Sequence, residues 1–131
     1  MIEYSNNHVQ EAADVAEVFR ASGMKRPYDD LHRIQRMIDQ ADVLITAWED
    51  GRMVGVARGI SDFSYCCYLS DLAVIASHQK RGIGKQLMDR VRQAIGEECS
   101  LVLLAAPDAV SYYPQLGFER SERAFVLARG R

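Results

Sequence analysis

The sequence is poor in the residues that mark specialised classes. Among 131 residues there are three cysteines, three histidines, three prolines and one tryptophan. Cys66 and Cys67 are adjacent and Cys99 is distant, so no CxxC or Cys/His ligand spacing exists. That excludes a zinc module and a disulfide framework, no metal is expected, and an odd cysteine count suits a reducing compartment. Charge of one sign is also missing: 16 basic residues face 18 acidic ones, for a net charge of −2. Broad nucleic-acid binding needs a basic excess and is excluded. The start, MIEYSNNHVQEA, lacks the basic and apolar regions of a signal peptide. No apolar run approaches the roughly 20 residues of a membrane span. The expectation is a cytoplasmic protein with no membrane partner. No repeat, low-complexity tract or Pro/Ser linker appears, so residues 1–131 read as one domain.

What the chain has is a core: 48% of its residues are hydrophobic. Residues 2–5 read as a short strand. A helix is expected over 7–22, with Asn7 and Gln10 as a capping box and Val9, Ala12, Ala16 and Phe19 on one face. A second helix is expected over 30–41, capped by Asp29 or Asp30. Strands over 43–49 and 52–62 flank the hairpin dipeptide Asp50-Gly51, and a third covers 65–75. A helix over 82–96 carries the seam Ile83, Leu87, Val91 and Ile95. LVLLAA, 101–106, is a continuous apolar run that predicts a strand buried on both faces. A strand–helix–strand passage implies a right-handed crossover to a parallel neighbour. Residues 109–116 predict a short helix or turn, and 118–129 a final strand pair or one bent strand. The fold class is α+β, a mixed and mostly antiparallel sheet with helices on both faces.

The informative stretch is LAVIASHQKRGIGKQLM, residues 72–88. An apolar strand runs into a basic, Gly-containing loop that opens a helix. Unpaired N–H groups and the helix dipole favour an anion at such a point. Lys80, Arg81 and Lys85 add positive charge. A Walker loop needs GxxxxGK[ST], but Gln79 stands at its first Gly and Gln86 follows Lys85. A dinucleotide fingerprint needs GxGxxG, but its last position is Leu87.

The string Gln79-Lys80-Arg81-Gly82-Ile83-Gly84 resembles the Q/R-x-x-G-x-G/A signature of the GCN5-related N-acetyltransferase (GNAT) family. A second segment, AAPDAVSYYPQLGF (105–118), is similar to that family's AxxFYxxLGF, with Tyr112 in the Phe place and Tyr113 in the Tyr place. The order of elements is similar as well. The resemblance implies acetyl-coenzyme A as cofactor. The backbone of Leu72, Ala73 and Val74 would pair with its pantetheine arm. Gln79, Lys80, Arg81, Gly82, Ile83, Gly84 and Lys85 would hold its pyrophosphate. It also implies that the central parallel strands splay at their C-terminal ends to admit the arm.

Acetyl transfer to an amine makes chemical demands. An alkylamine with a pKa near ~10.4 must lose a proton. Charge developing on the acyl oxygen needs a donor, for which the N–H of Leu72 or Val74 is placed. The leaving thiolate needs an acid, and the family pattern puts Tyr113 there. Asp71 interrupts an apolar strand, which suggests a base, with loop hydrogen bonding as its ordinary alternative. Glu49 and Asp62 have weaker positions, and a water chain could serve instead. The histidines and cysteines read as structural. The acceptor, a small-molecule or peptide amine, would meet the 23–33 loop (Lys25, Arg26, Tyr28, Asp29, His32) and strand residues such as Trp48, Arg58, Tyr65 and Tyr68. The expected function is an N-acetyltransferase. The alternatives are a non-catalytic acyl-coenzyme A binding module on the same fold, or an unrelated phosphate-binding interaction domain. FVLA, 125–128, offers an edge through which two copies could pair into a homodimer.

Overall fold

The computed structural model describes residues 1–131. Five strands form one sheet in sequence order: β1 (Glu3–Ser5), β2 (Val43–Glu49), β3 (Arg52–Ser61), β4 (Cys66–Val74) and β5 (Ser100–Leu103). The first four pair antiparallel, while β4 and β5 are parallel. Three helices complete the fold: α1 (Ala12–Ser22), α2 (Leu31–Asp39) and α3 (Ile83–Ile95). None is long and apolar enough to cross a membrane.

Side-chain parity along β3 fixes the layers. A methyl group on Gly55 would lie 3.1 Å from Leu87 of α3, so this side of β3 faces α3. Arg58, of opposite parity, shares Asp71 with Arg26, and the Arg26 guanidinium stands 6.0 Å from the Phe19 ring of α1. Helices therefore cover both faces. Phe19, Ile34, Ile38, Leu44, Val56, Leu87 and Val91 are among the buried side chains between the layers. The Asp50-Gly51 turn takes positive φ at both residues, 50° and 78°, as a tight hairpin requires.

Three expectations need correction. α1 begins at Ala12 rather than Asn7. The Asn7 side chain accepts the Val9 N–H at 2.9 Å, and its carbonyl accepts from the Gln10 amide, so the segment forms a polar turn with Val9 exposed. β5 is not buried on both faces. It is an edge strand with one neighbour, and Val102 and Leu104 are about half exposed, at 49% and 50%. The third correction is the cause of the second: residues 118–129 form no strand. From Glu119 onward no backbone–backbone hydrogen bond forms, and Phe125 is 92% exposed. Four of the five residues 119–123 are charged, which keeps this stretch in water.

Candidate active site

Hydrogen-bond phase explains why the centre of the sheet opens. Ser100 N–H donates to the Tyr65 carbonyl, so the odd residues of early β4 face β5. At the other end, Ile75 N–H donates to the Val54 carbonyl, so Ala73 and Asp71 face β3. The phase changes at Ser70. Arg58 pairs with Asp71 and Gly59 with Leu69, leaving Ser70 as the extra residue of a β-bulge. Beyond it, the odd residues that would continue the β5 ladder point the wrong way. Parallel pairing accordingly ends at Leu69–Leu103, while β4 runs on to Val74. The N–H and C=O groups of Leu72 and Val74 face the opened seam.

The bulge is held by charge. The Asp71 carboxylate is fully buried and receives Arg26 Nε on one oxygen and Arg58 Nε on the other, both at 2.5 Å. Arg26 also donates to the Ser70 carbonyl at 2.8 Å, and Arg58 to Ser70 Oγ at 2.9 Å. Four polar groups thus close around one backbone irregularity. Each Asp71 oxygen faces a guanidinium, and the carboxylate is shut away from water, an enclosure that suits a structural anion. Arg26 and Arg58, expected to line the acceptor site, are turned inward to the same carboxylate.

Past β4, Ala76–His78 makes one short 3-10 turn, and the Gly loop follows. Lys80 and Gly82 both have left-handed backbones, with φ of 65° and 81°. Left-handed residues of this kind are what let a turn direct successive N–H groups to one side. The backbone N–H groups of residues 80–85 find no acceptor in the chain, and the first helical bond is Gln86 N–H to the Gly82 carbonyl. The Gln79 side-chain amide donates to the Val74 carbonyl at 2.8 Å, tying the loop to the end of β4. Arg81 lies 3.5 Å from Glu49, which also receives His78 Nε2 at 2.8 Å, and Lys85 pairs with Asp89 at 3.0 Å. The His78 hydrogen bond, with help from Arg81, holds the Glu49 carboxyl below its usual range. Lys80 has no carboxylate partner.

Tyr113 stands at the start of a short 3-10 turn, Tyr113–Leu116, and packs edge-on to Phe118 and Tyr112 at ring separations of 5.6 and 5.3 Å. Burial raises its phenol pKa, Tyr112 adds to the rise, and Arg26 opposes it. The hydroxyl therefore keeps its proton through neutral pH, as an acid requires. Tyr112 is pushed up by burial and pulled back by the Lys85 charge, and its hydroxyl lies against Gly84. Of the remaining expected acceptor residues, Lys25, Asp29, His32, Tyr65 and Tyr68 are exposed, while Tyr28 and Trp48 are half-buried. Sequence reasoning missed Ser70, the Arg26–Asp71–Arg58 closure and the contact of Tyr112 with Gly84. An Asp inside an apolar strand was the one visible sign of the closure.

A sheet that opens after a bulge, feeding a run of unpaired amides at a helix start, defines an acyltransferase-type architecture. The family described as acetyltransferase (GNAT) domain matches residues 4–128. The chain belongs to the GNAT acetyltransferase family. It is similar to the uncharacterized N-acetyltransferase ycf52 of Pyropia yezoensis, with 31% identity over 103 residues, 72% of this chain and 56% of that protein. The chain thus spans about half the length of the curated relatives it matches. Its fold is similar to that of a Staphylococcus aureus protein of unknown function regarded as a probable acetyltransferase (TM-score 0.86, 20% identity, 100% of both chains). It is also similar to that of PaiA N-acetyltransferase from Thermoplasma acidophilum in complex with coenzyme A (TM-score 0.74, 17% identity, 95% of this chain and 93% of that one). At such identities these two structures speak for the fold.

Proposed function

We propose that residues 1–131 form one N-acetyltransferase domain that moves an acetyl group from acetyl-coenzyme A to a primary amine of a small molecule or peptide. The observation that carries this is the run of six unpaired amides, 80–85, one short 3-10 turn beyond the stretch of β4 that β5 leaves unpaired. A pyrophosphate joined to an extended amide-bearing arm has matching chemistry at both places. Leu72 and Val74 would pair with the arm, with Ala73 fixed between them. Lys80, Arg81, Gly82, Ile83, Gly84 and Lys85 would hold the phosphates, with Gln79 shaping their loop.

When bound, acetyl-coenzyme A supplies an activated acyl thioester and a thiolate leaving group. The chain's own groups serve that chemistry. A β4 N–H facing the seam, at Leu72 or Val74, donates toward developing negative charge. Tyr113 holds a proton on Oη and releases it to a departing sulfur. With Asp71 enclosed, removal of the amine proton passes to water. That enclosure favours one other reading, a non-catalytic acyl-coenzyme A binding module, and an amine-acceptor screen separates the two.

The test is calorimetric titration of acetyl-coenzyme A, coenzyme A and ADP into the wild type and Gly82→Val. Binding of both coenzyme A forms, lost in the folded variant, is expected. Folded wild type that binds neither would overturn the assignment.

A further inference from the structure

The family pattern has Phe where this chain has Tyr112, and takes either Gly or Ala where it has Gly84. The two positions touch each other. A methyl group on Gly84 would lie 2.9 Å from Tyr112 Oη, closer than real side-chain carbons approach, and 3.8 Å from Cζ. The hydroxyl therefore occupies the space that an alanine at 84 would need. The ring cannot easily swing away, because it is half-buried and packed edge-on to Tyr113. The hydroxyl has no hydrogen-bond partner in the chain, and it sits against Gly84, the fifth of the six residues whose amides are unpaired. Burial keeps it protonated, so it is a donor at neutral pH.

Resting on the proposed function above, we infer that Tyr112 is an additional ligand of the cofactor's pyrophosphate, its phenol donating a hydrogen bond where the family pattern supplies none. Glycine at 84 is then the residue that makes room for this donor. The two positions act as a pair. Alanine at 84 is incompatible with Tyr at 112 but compatible with Phe, whose nearest ring carbon is in ordinary contact distance.

The experiment is calorimetry of coenzyme A with the wild type, Tyr112→Phe, Gly84→Ala and the double variant. Thermal melting of each free protein accompanies it. A hydrogen bond to a charged phosphate predicts that Tyr112→Phe weakens coenzyme A binding about tenfold or more. Gly84→Ala should lower affinity and melting temperature in the wild-type background, and cost far less in the Tyr112→Phe background. Unchanged affinity in Tyr112→Phe overturns the ligand role while leaving the acetyltransferase reading intact. Equal costs for Gly84→Ala in both backgrounds overturn the pairing. Folded wild type that fails to bind coenzyme A overturns this inference together with the reading it rests on.

Discussion

Arg58 Nε and Asp71 Oδ2 meet at 2.5 Å across the two strands that the Ser70 bulge puts out of phase. The contact is buried, and it is shared by Arg26 from the loop between α1 and α2. An ion pair of this kind costs solvation to build, yet losing one partner is worse, because it strands the other charges without water.

Asp71→Ala should therefore destabilise the fold by about 3–5 kcal/mol, the range for breaking a buried pair. Chemical denaturation measures it. Asp71→Asn keeps the shape and loses the charge. In that variant coenzyme A affinity should fall along with stability, since the bulge that opens the seam is loosened. A variant of native stability and affinity whose acetylation loses only its acid limb would restore the base role to Asp71.

Gly82 has φ of 81° and no atom within 4 Å of an added Cβ, so its constraint is conformational rather than spatial. Left-handed backbone costs a residue with a side chain roughly 1–2 kcal/mol, and least for Asn. Gly82→Asn should keep most of the coenzyme A affinity, and Gly82→Val should lose it. Equal losses would mean that the site needs bare backbone at 82, not its dihedral angle.

Glu49 restrains Arg81 through a 3.5 Å ion pair. Glu49→Gln should free that guanidinium and raise coenzyme A affinity severalfold at low salt, with the gain shrinking as salt is added. The stability effect has a definite sign. His78 is the main cause of the lowered Glu49 pKa, so the stabilisation is present above the ordinary value of 4.5 and is lost as pH falls through the lower folded value. Wild type and Glu49→Gln should differ in melting temperature at pH 6 and converge as the pH falls below the lowered folded value.

Tyr113→Phe should lower acetylation turnover well over tenfold with little change in acetyl-coenzyme A affinity. Burial also raises the pKa of Tyr4, Tyr112 and Tyr113 above the ordinary 10.0. The stabilisation linked to these neutral phenols is whole below pH 10 and is lost as pH rises through their folded values. Melting temperature should drop steeply above pH 10, and Tyr113→Phe should make that drop shallower. Full turnover in the Phe variant would remove the acid role.

Much of this was legible in the sequence because it was local. Asp50-Gly51 marked the hairpin, Asp30 capped α2 by accepting the Arg33 N–H, and Ile83, Leu87, Val91 and Ile95 gave the seam of α3. The Gly loop was legible by residue type. The bulge was not, since nothing about Ser70 distinguishes it until Arg26, 44 residues earlier, donates to its carbonyl. Asp71 looked like a base for the same reason: its partners are distant in sequence. The end of the chain failed differently. Phe125, Val126 and Leu127 have the composition of a strand, but pairing is a property of neighbours, and none stands beside them.

A strand with unpaired donors and acceptors normally invites aggregation, because a sheet rim templates any extended chain that drifts past. The stretch of β4 beyond Leu69 carries the same adhesive backbone in a different place, inside the sheet, with β5 still fastened at Leu69–Leu103. The half-joined seam thereby keeps these groups inside the sheet, flanked by strands on both sides, where an equal length of open rim would present them outward.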